Sequence, residues 1–201
     1  LATGAEDTAI SLNIQSSLND SSESLSIQIS DVPEGAELSA GENNGDGSWS
    51  LAPSDLDGLT ITPPENFSGS FDLTVTAQST DGMDSAEVSE TLNVTVSEIN
   101  DDPTAVNDVA SGDEDTAISG NVLDNDSDVD GTVTVENSGT FETDHGSITI
   151  DADGSYTYAA DENFNGSDSF EYTVIDDDGA TSTATLDITV NDVNDGPNAV
   201  N

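Results

Sequence analysis

Apolar and polar residues alternate in short runs along almost the whole chain. Ile10, Leu12 and Ile14 are spaced by two, as are Leu25, Ile27 and Ile29, then Trp49 and Leu51, Phe71, Leu73 and Val75, and Leu92, Val94 and Val96. The pattern returns at Ile148 and Ile150, at Tyr156 and Tyr158, at Phe170, Tyr172 and Val174, and at Leu186, Ile188 and Val190. A period of two places every second side chain on one face of a strand. Clusters of Gly, Asn, Asp and Ser separate the runs and supply turns. No helical period competes with it. The spacing predicts an all-β chain built as Ig-like β-sandwich domains.

The two halves repeat each other. Glu6-Asp7-Thr8-Ala9-Ile10 recurs as Glu114-Asp115-Thr116-Ala117-Ile118, and Glu65-Asn66-Phe67-Ser68-Gly69 as Glu162-Asn163-Phe164-Asn165-Gly166. The strand from Phe71 ends at Asp81-Gly82, and the strand from Phe170 at Asp178-Gly179. The final strand of each half runs into a similar hexapeptide: Glu98-Ile-Asn-Asp-Asp-Pro103 and Asp192-Val-Asn-Asp-Gly-Pro197. Fixed-period repetition marks a tandem array. It predicts one domain over 1–102, with exit linker 98–102, and a second over 103–201, with exit linker 192–197. Each is long enough to enclose its own core.

Charge changes the picture. The chain has 43 Asp and Glu and no Lys or Arg, a formal charge of −43. No internal salt bridge to a Lys or Arg can offset it, and self-repulsion on that scale opposes compaction. The regular period argues against disorder, so cations from outside are expected to screen the fold. Partners with anionic surfaces, nucleic acid or acidic membranes, are excluded for want of a basic patch. Zero Cys removes disulfides and thiol chemistry, so another staple is needed. No apolar run approaches the roughly 18 residues of a membrane span. The chain reads as a piece excised from something longer, with no signal peptide inside it.

The chemistry on offer is hard oxygen. Ca²⁺ takes six to eight oxygen ligands from carboxylates, amides, backbone carbonyls and water. Asp126-Ser-Asp128-Val-Asp130-Gly131 sets carboxylates at alternate positions and closes with Gly. It resembles the first half of an EF-hand loop, but position 12 of such a loop is Asn137 and no helices flank it, so a calcium loop of a β-domain is expected. The linker adds Glu98, Asn100, Asp101 and Asp102 ahead of Pro103.

Together the Asp-x-Asn-Asp linkers, the Asp-x-Asp loop and the Phe-x-Leu-x-Val strands ending at Asp-Gly resemble cadherin repeats. More closely they resemble the cadherin-like tandem repeats of large bacterial RTX-type adhesins secreted by type I systems. In the second half the resemblance rests on 114–116, 121–126, His145-Gly146, 163–166 and 170–179. In the first it rests on Glu6-Asp7-Thr8, Val32-Pro33, 45–49 and 67–69. The resemblance implies β-sandwiches with Ca²⁺ held chiefly where one repeat hands over to the next. By position it implies ligands at Glu98, Asn100, Asp101 and Asp102, at Glu114, at Asp126, Asp128 and Asp130, and at Asp176 and Asp178. Glu6 and Asp81 hold the corresponding positions in the first half.

Paired carboxylates could also serve a glycosidase, but one His and no Lys, Arg or Cys leave such a site without companions. His145 reads as a turn residue, the alternating Tyr and Phe as core, and Trp49 as filling the first core. The expectation is a non-enzymatic module: a calcium-stiffened extender of an extracellular, type I secreted surface adhesin serving cell adhesion and biofilm formation. It would be a monomer, with neighbouring repeats of the same chain as partners and no membrane insertion. The alternative is a recognition module near Trp49 or Asp81, binding a host or biofilm glycan or protein.

Overall fold

The computed structural model describes residues 1–18, 20, 22–194 and 196; Asp195 and Pro197 of the second linker lie outside the described residues. The chain divides into two compact units, Leu1–Ile99 and Asn100 onward. The sequence reading placed the division three residues later, after Asp102.

Among its described residues unit 1 holds nine strands: β1 (Ala2–Ala5), β2 (Ile10–Ser11), β3 (Ser24–Ser30), β4 (Glu37–Leu38), β5 (Glu42–Asn43), β6 (Trp49–Leu51), β7 (Thr60–Thr62), β8 (Gly69–Asp81) and β9 (Asp84–Ser97). One sheet runs β1-β9-β8-β3-β6-β5 and the other β2-β7-β4. Their inward residues, among them Ile27, Ile29, Leu73 and Val94 from the first and Ile10, Leu38 and Ile61 from the second, form one buried cluster. The alternation therefore does what period two requires: every second side chain leaves water, at about 25 cal/mol per Å² of apolar surface. Trp49 packs against this core and is half-buried.

One predicted strand is cut short. Ile10 and Ser11 pair with β7, but Leu12 and Ile14 lie beyond the strand although both pack on the core. The Ile14 N–H turns back to the Leu12 carbonyl at 3.0 Å, a three-residue turn that ends the ladder.

Unit 2 holds β10 (Asp108–Asp113), β11 (Ile118–Asn121), β12 (Thr134–Val135), β13 (Gly139–Glu142), β14 (Gly146–Ile150), β15 (Ser155–Ala160), β16 (Gly166–Ile175) and β17 (Thr181–Asn191). Its sheets run β10-β17-β16-β12 and β11-β15-β14-β13. Tyr158, Tyr172, Ile148, Ile150 and Leu186 are fully buried between them. In both units the first strand joins the last in parallel, Ala2 opposite Val94 and Asp108 opposite Leu186.

The repeated pentapeptides meet one another within each unit. Asp7 and Asn66 both take positive φ, and the Asn66 N–H donates to the Asp7 carboxylate at 3.1 Å. Asp115 and Asn163 repeat this at 3.4 Å. Asn and Asp tolerate the left-handed region better than other side chains, so the motif recurs because the backbone needs it twice.

Candidate metal centre

In unit 1 the site begins where β1 ends. The Glu6 N–H donates to Ser97 O at 3.0 Å, and Glu6 Oε1 accepts the Ile99 N–H at 2.6 Å. The side chain, only 2% exposed, thus clasps the exit of its own unit. Glu6 Oε2 is buried with no hydrogen-bond partner. A desolvated carboxylate oxygen with no donor is costly, and this chain has no Lys or Arg to supply one. Glu98 is exposed beside this latch. Asp81 closes the β8–β9 hairpin at the end away from Ser97, so the structure does not bring it to Glu6.

In unit 2 the linker residues fold back onto two loops. Asn100 Nδ2 donates to Asp176 Oδ2 at 2.8 Å, and the Asp101 N–H donates to Asp130 Oδ2 at 2.7 Å. Asp176 is buried; its Oδ1 accepts the N–H groups of Asp178, Gly179 and Ala180. The Asn100 amide and these backbone donors hold its pKa below the ordinary carboxylate value despite desolvation. Asp128 Oδ1 accepts from the Asp130 and Gly131 N–H groups, both at 2.8 Å, while Asp128 Oδ2 is shielded and unpartnered. Asp102 and Asp178 are exposed at the margin. The structure therefore gathers Asn100, Asp101, Asp128, Asp130 and Asp176 around one loop cluster.

Asp126 goes elsewhere. Its Oδ1 accepts the Val106 N–H at 2.7 Å and its Oδ2 the Tyr172 hydroxyl at 3.2 Å; the same hydroxyl donates to Asp108 at 2.7 Å. Burial raises the pKa of Asp126 and of Asp108, outweighing the donors around them. Burial and the two carboxylates push the Tyr172 phenol well above its usual range. The alternate spacing does not bring Asp126 to Asp128, because 122–130 is turn and irregular backbone instead of strand, and the two carboxylates meet different neighbours.

Glu114 repeats Glu6. Its N–H donates to Asn191 O at 2.9 Å, its Oε1 accepts the Val193 N–H at 2.6 Å, and it is buried. Sequence reasoning named Glu114 without seeing that it clasps the exit of its own unit. The signal was there, since each Glu-Asp-Thr-Ala-Ile sits one domain length before its linker. Sequence reasoning missed Asp177, whose carboxylate accepts from the Thr132 N–H and Oγ1 next to Gly131.

Among the described residues no three His, Cys, Asp or Glu side chains already converge as a metal cage. The donor chemistry nevertheless fits Ca²⁺: carboxylate and amide oxygens, two of them buried without partners, and no nitrogen or sulfur ligand beside them. Residues that would hold it are Glu6 in unit 1 and Asn100, Asp101, Asp128, Asp130 and Asp176 in unit 2.

Residues 100–192 match the family model described as "Bacterial cadherin-like domain". No curated protein matches the chain. Among solved structures, protocadherin gamma B2 extracellular cadherin domains 3–6 align with a TM-score of 0.50 at 14% identity, over 87% of this chain and 42% of that one. Mouse cadherin-23 EC22–24 aligns with a TM-score of 0.48 at 18% identity, over 83% and 53%. An endo-fucoidan hydrolase of glycoside hydrolase family 107 aligns with a TM-score of 0.35 at 20% identity, over 83% and 23%. The chain spans about half or less of the length of each of these structures. The fold is that of cadherin-like β-sandwiches. Among the described residues no helix is long and apolar enough to cross a membrane.

Proposed function

We propose that this chain is a calcium-dependent extender and adhesion module, without catalysis, from a large bacterial surface adhesin of the RTX, type I secreted kind. Its work on this reading is mechanical and serves cell attachment and biofilm formation. Glu6 at the exit of one repeat, and Asn100, Asp101, Asp128, Asp130 and Asp176 at the start of the next, would hold the ions, and holding them would stiffen an otherwise flexible string of repeats. Calcium supplies positive charge to oxygens that the fold has stripped of water. The residues do the rest: Glu6 ties strand β1 to Ile99, and Asp130 and Asp176 tie Asp101 and Asn100 to their loops.

The observation that carries this reading is the pair of buried, unpartnered oxygens, Glu6 Oε2 and Asp128 Oδ2. Calorimetric titration with Ca²⁺ tests it. The parent should bind, and a hundredfold excess over Kd should stabilise the fold by about 2.7 kcal/mol. Glu6→Gln and Asp128→Asn should each weaken binding while the apo melting temperature stays level or rises. Small-angle scattering should show a narrower distribution of maximum dimensions with calcium than in chelator. Titration heats that match buffer, with an unchanged melting curve in chelator, would sink the proposal.

A further inference from the structure

The long β8–β9 hairpin leaves a strand edge open. β1 pairs with β9 only from Val94 onward, and among the described residues no strand pairs with the outer side of Asp84–Asn93. Gly82 takes φ +61 at the first position of a two-residue turn, the type II′ arrangement that closes on the pair Asp81 and Asp84. Hydrogen-bonded and open pairs alternate from there. The N–H and C=O groups of Ser85, Glu87, Ser89 and Thr91 therefore point away from β8.

The inner face beside that edge is apolar and uncovered. Val75, Ala77, Val88 and Leu92 floor a groove of about 260 Å³, walled on its far side by Asn13–Ser16. Val88 is 60% exposed. Glu90 lies in the same floor and Glu87 projects from the opposite face. Acidic residues on an edge strand guard it against pairing with another copy of an acidic chain. They do the reverse for a basic one.

We propose that this edge takes up an extended segment of another protein that carries Lys or Arg between apolar residues, added as a further strand beside β9. The occupant is fixed by complementarity. This chain, with no Lys or Arg, cannot provide the cations that Glu87 and Glu90 would meet. An added strand sets its side chains directly opposite those of β9. In antiparallel register it would place an apolar residue against Leu92, a cation against Glu90, an apolar residue against Val88 and a cation against Glu87. Backbone pairing gives such a strand its affinity and the side-chain pattern its selectivity. The proposal does not depend on calcium.

The probe is a capped Val-Thr-Lys-Thr-Val-Lys peptide, with a same-composition scramble and a Val-Thr-Glu-Thr-Val-Glu analogue as comparisons. The two-unit protein is titrated at moderate salt and followed by amide NMR. The pattern peptide should shift signals of 85–93 and slow exchange of the Ser89 and Thr91 amides; the scramble and the Glu analogue should do neither. Ser89→Pro removes an outward donor and no backbone bond of the β8 ladder, and should weaken binding about tenfold or more beyond Ser89→Ala, which loses only the side-chain bond to Thr76. The double variant Glu87→Lys, Glu90→Lys should transfer the preference to the Glu analogue, a swap that a misfolded protein would not give. Equal binding of the scramble, protection appearing elsewhere, or the same shifts arising from protein concentration alone would each overturn the proposal. The last would mean that copies pair with one another.

Discussion

Asp168 sits 8% exposed between Tyr158, Thr143, His145 and Ser169. Its Oδ2 accepts the Thr143 hydroxyl at 2.6 Å, the Tyr158 hydroxyl at 2.8 Å and the His145 N–H at 3.1 Å; its Oδ1 accepts the Ser169 N–H at 2.8 Å. Burial alone would raise its pKa, but the four donors outweigh burial and hold it below the ordinary carboxylate value. A carboxylate held low stabilises the fold fully above its unfolded pKa of about 3.9, and the gain is lost as pH falls through the folded value. Asp168→Ala strands several buried donors and should cost about 3 kcal/mol in urea melts at pH 7. The gap between parent and variant should begin to narrow as pH falls past about 3.9 and lose its charge-dependent part below the lower folded value; a gap that stays constant down to acid pH would refute the assignment. The sequence held this residue in view, two positions before Phe170 on the inward face of its strand, yet in a chain so rich in Asp it reads as one more solvated acid. The same excess hid the fate of Asp126. Spacing put it in line with Asp128 and Asp130, while the Tyr172 hydroxyl, 46 residues away, claimed it.

Among the elements, the sheets follow the apolar alternation closely because burial decides the face and the face decides the register. What alternation cannot reveal is how near two backbones come. Gly146 opens β14 opposite Ala160, and a Cβ there would drive into the Ala159 carbonyl oxygen and stand 2.9 Å from Ala160 Cα. Backbone cannot step aside as a flexible side chain can. Gly146→Ala should destabilise unit 2 by about 2 kcal/mol, in the range of an overpacked core. The transition of unit 1, with a separate core, should stay where it was. Calorimetry resolving two transitions would show it, and a shift shared by both would mean the units melt as one. The early end of β2 has a similar origin. The period of two runs on through Leu12 and Ile14, but the Ile14 N–H chose a local carbonyl over the neighbouring strand.

On the scale of the whole molecule, a charge of −43 with no Lys or Arg leaves cations from the solvent to offset the net charge. That much composition announces, and the repeated Glu-Asp-Thr-Ala-Ile and Glu-Asn-Phe-x-Gly motifs announce two units. Composition does not say which few oxygens are sealed from water. That depends on β1 lying parallel to the last strand of its unit, which brings Glu6 from one end of the sequence of unit 1 to Ile99 at the other.

The parallel joining of first and last strands has a consequence under tension. Pulled by its two ends, unit 1 loads β1 towards its start and β9 towards its finish, so the ladder between them slides in shear and its bonds must fail together, not one by one. The ladder has four residue pairs in unit 1, Ala2 with Val94 through Ala5 with Ser97, and six in unit 2, Asp108 with Leu186 through Asp113 with Asn191. Single-molecule stretching should therefore record two ruptures, each releasing on the order of 340 Å of contour for about 100 residues, with the weaker one from unit 1. Gly4→Ala, whose new Cβ would meet Ile10 Cγ1 at 2.6 Å, should lower only that first rupture, and Gly112→Ala, which meets Ile118 in the same way, only the second. Equal forces in the parent would show that these ladders do not bear the load. Unequal forces would let the chain lengthen under load one unit at a time, each rupture limiting the tension before the next unit yields.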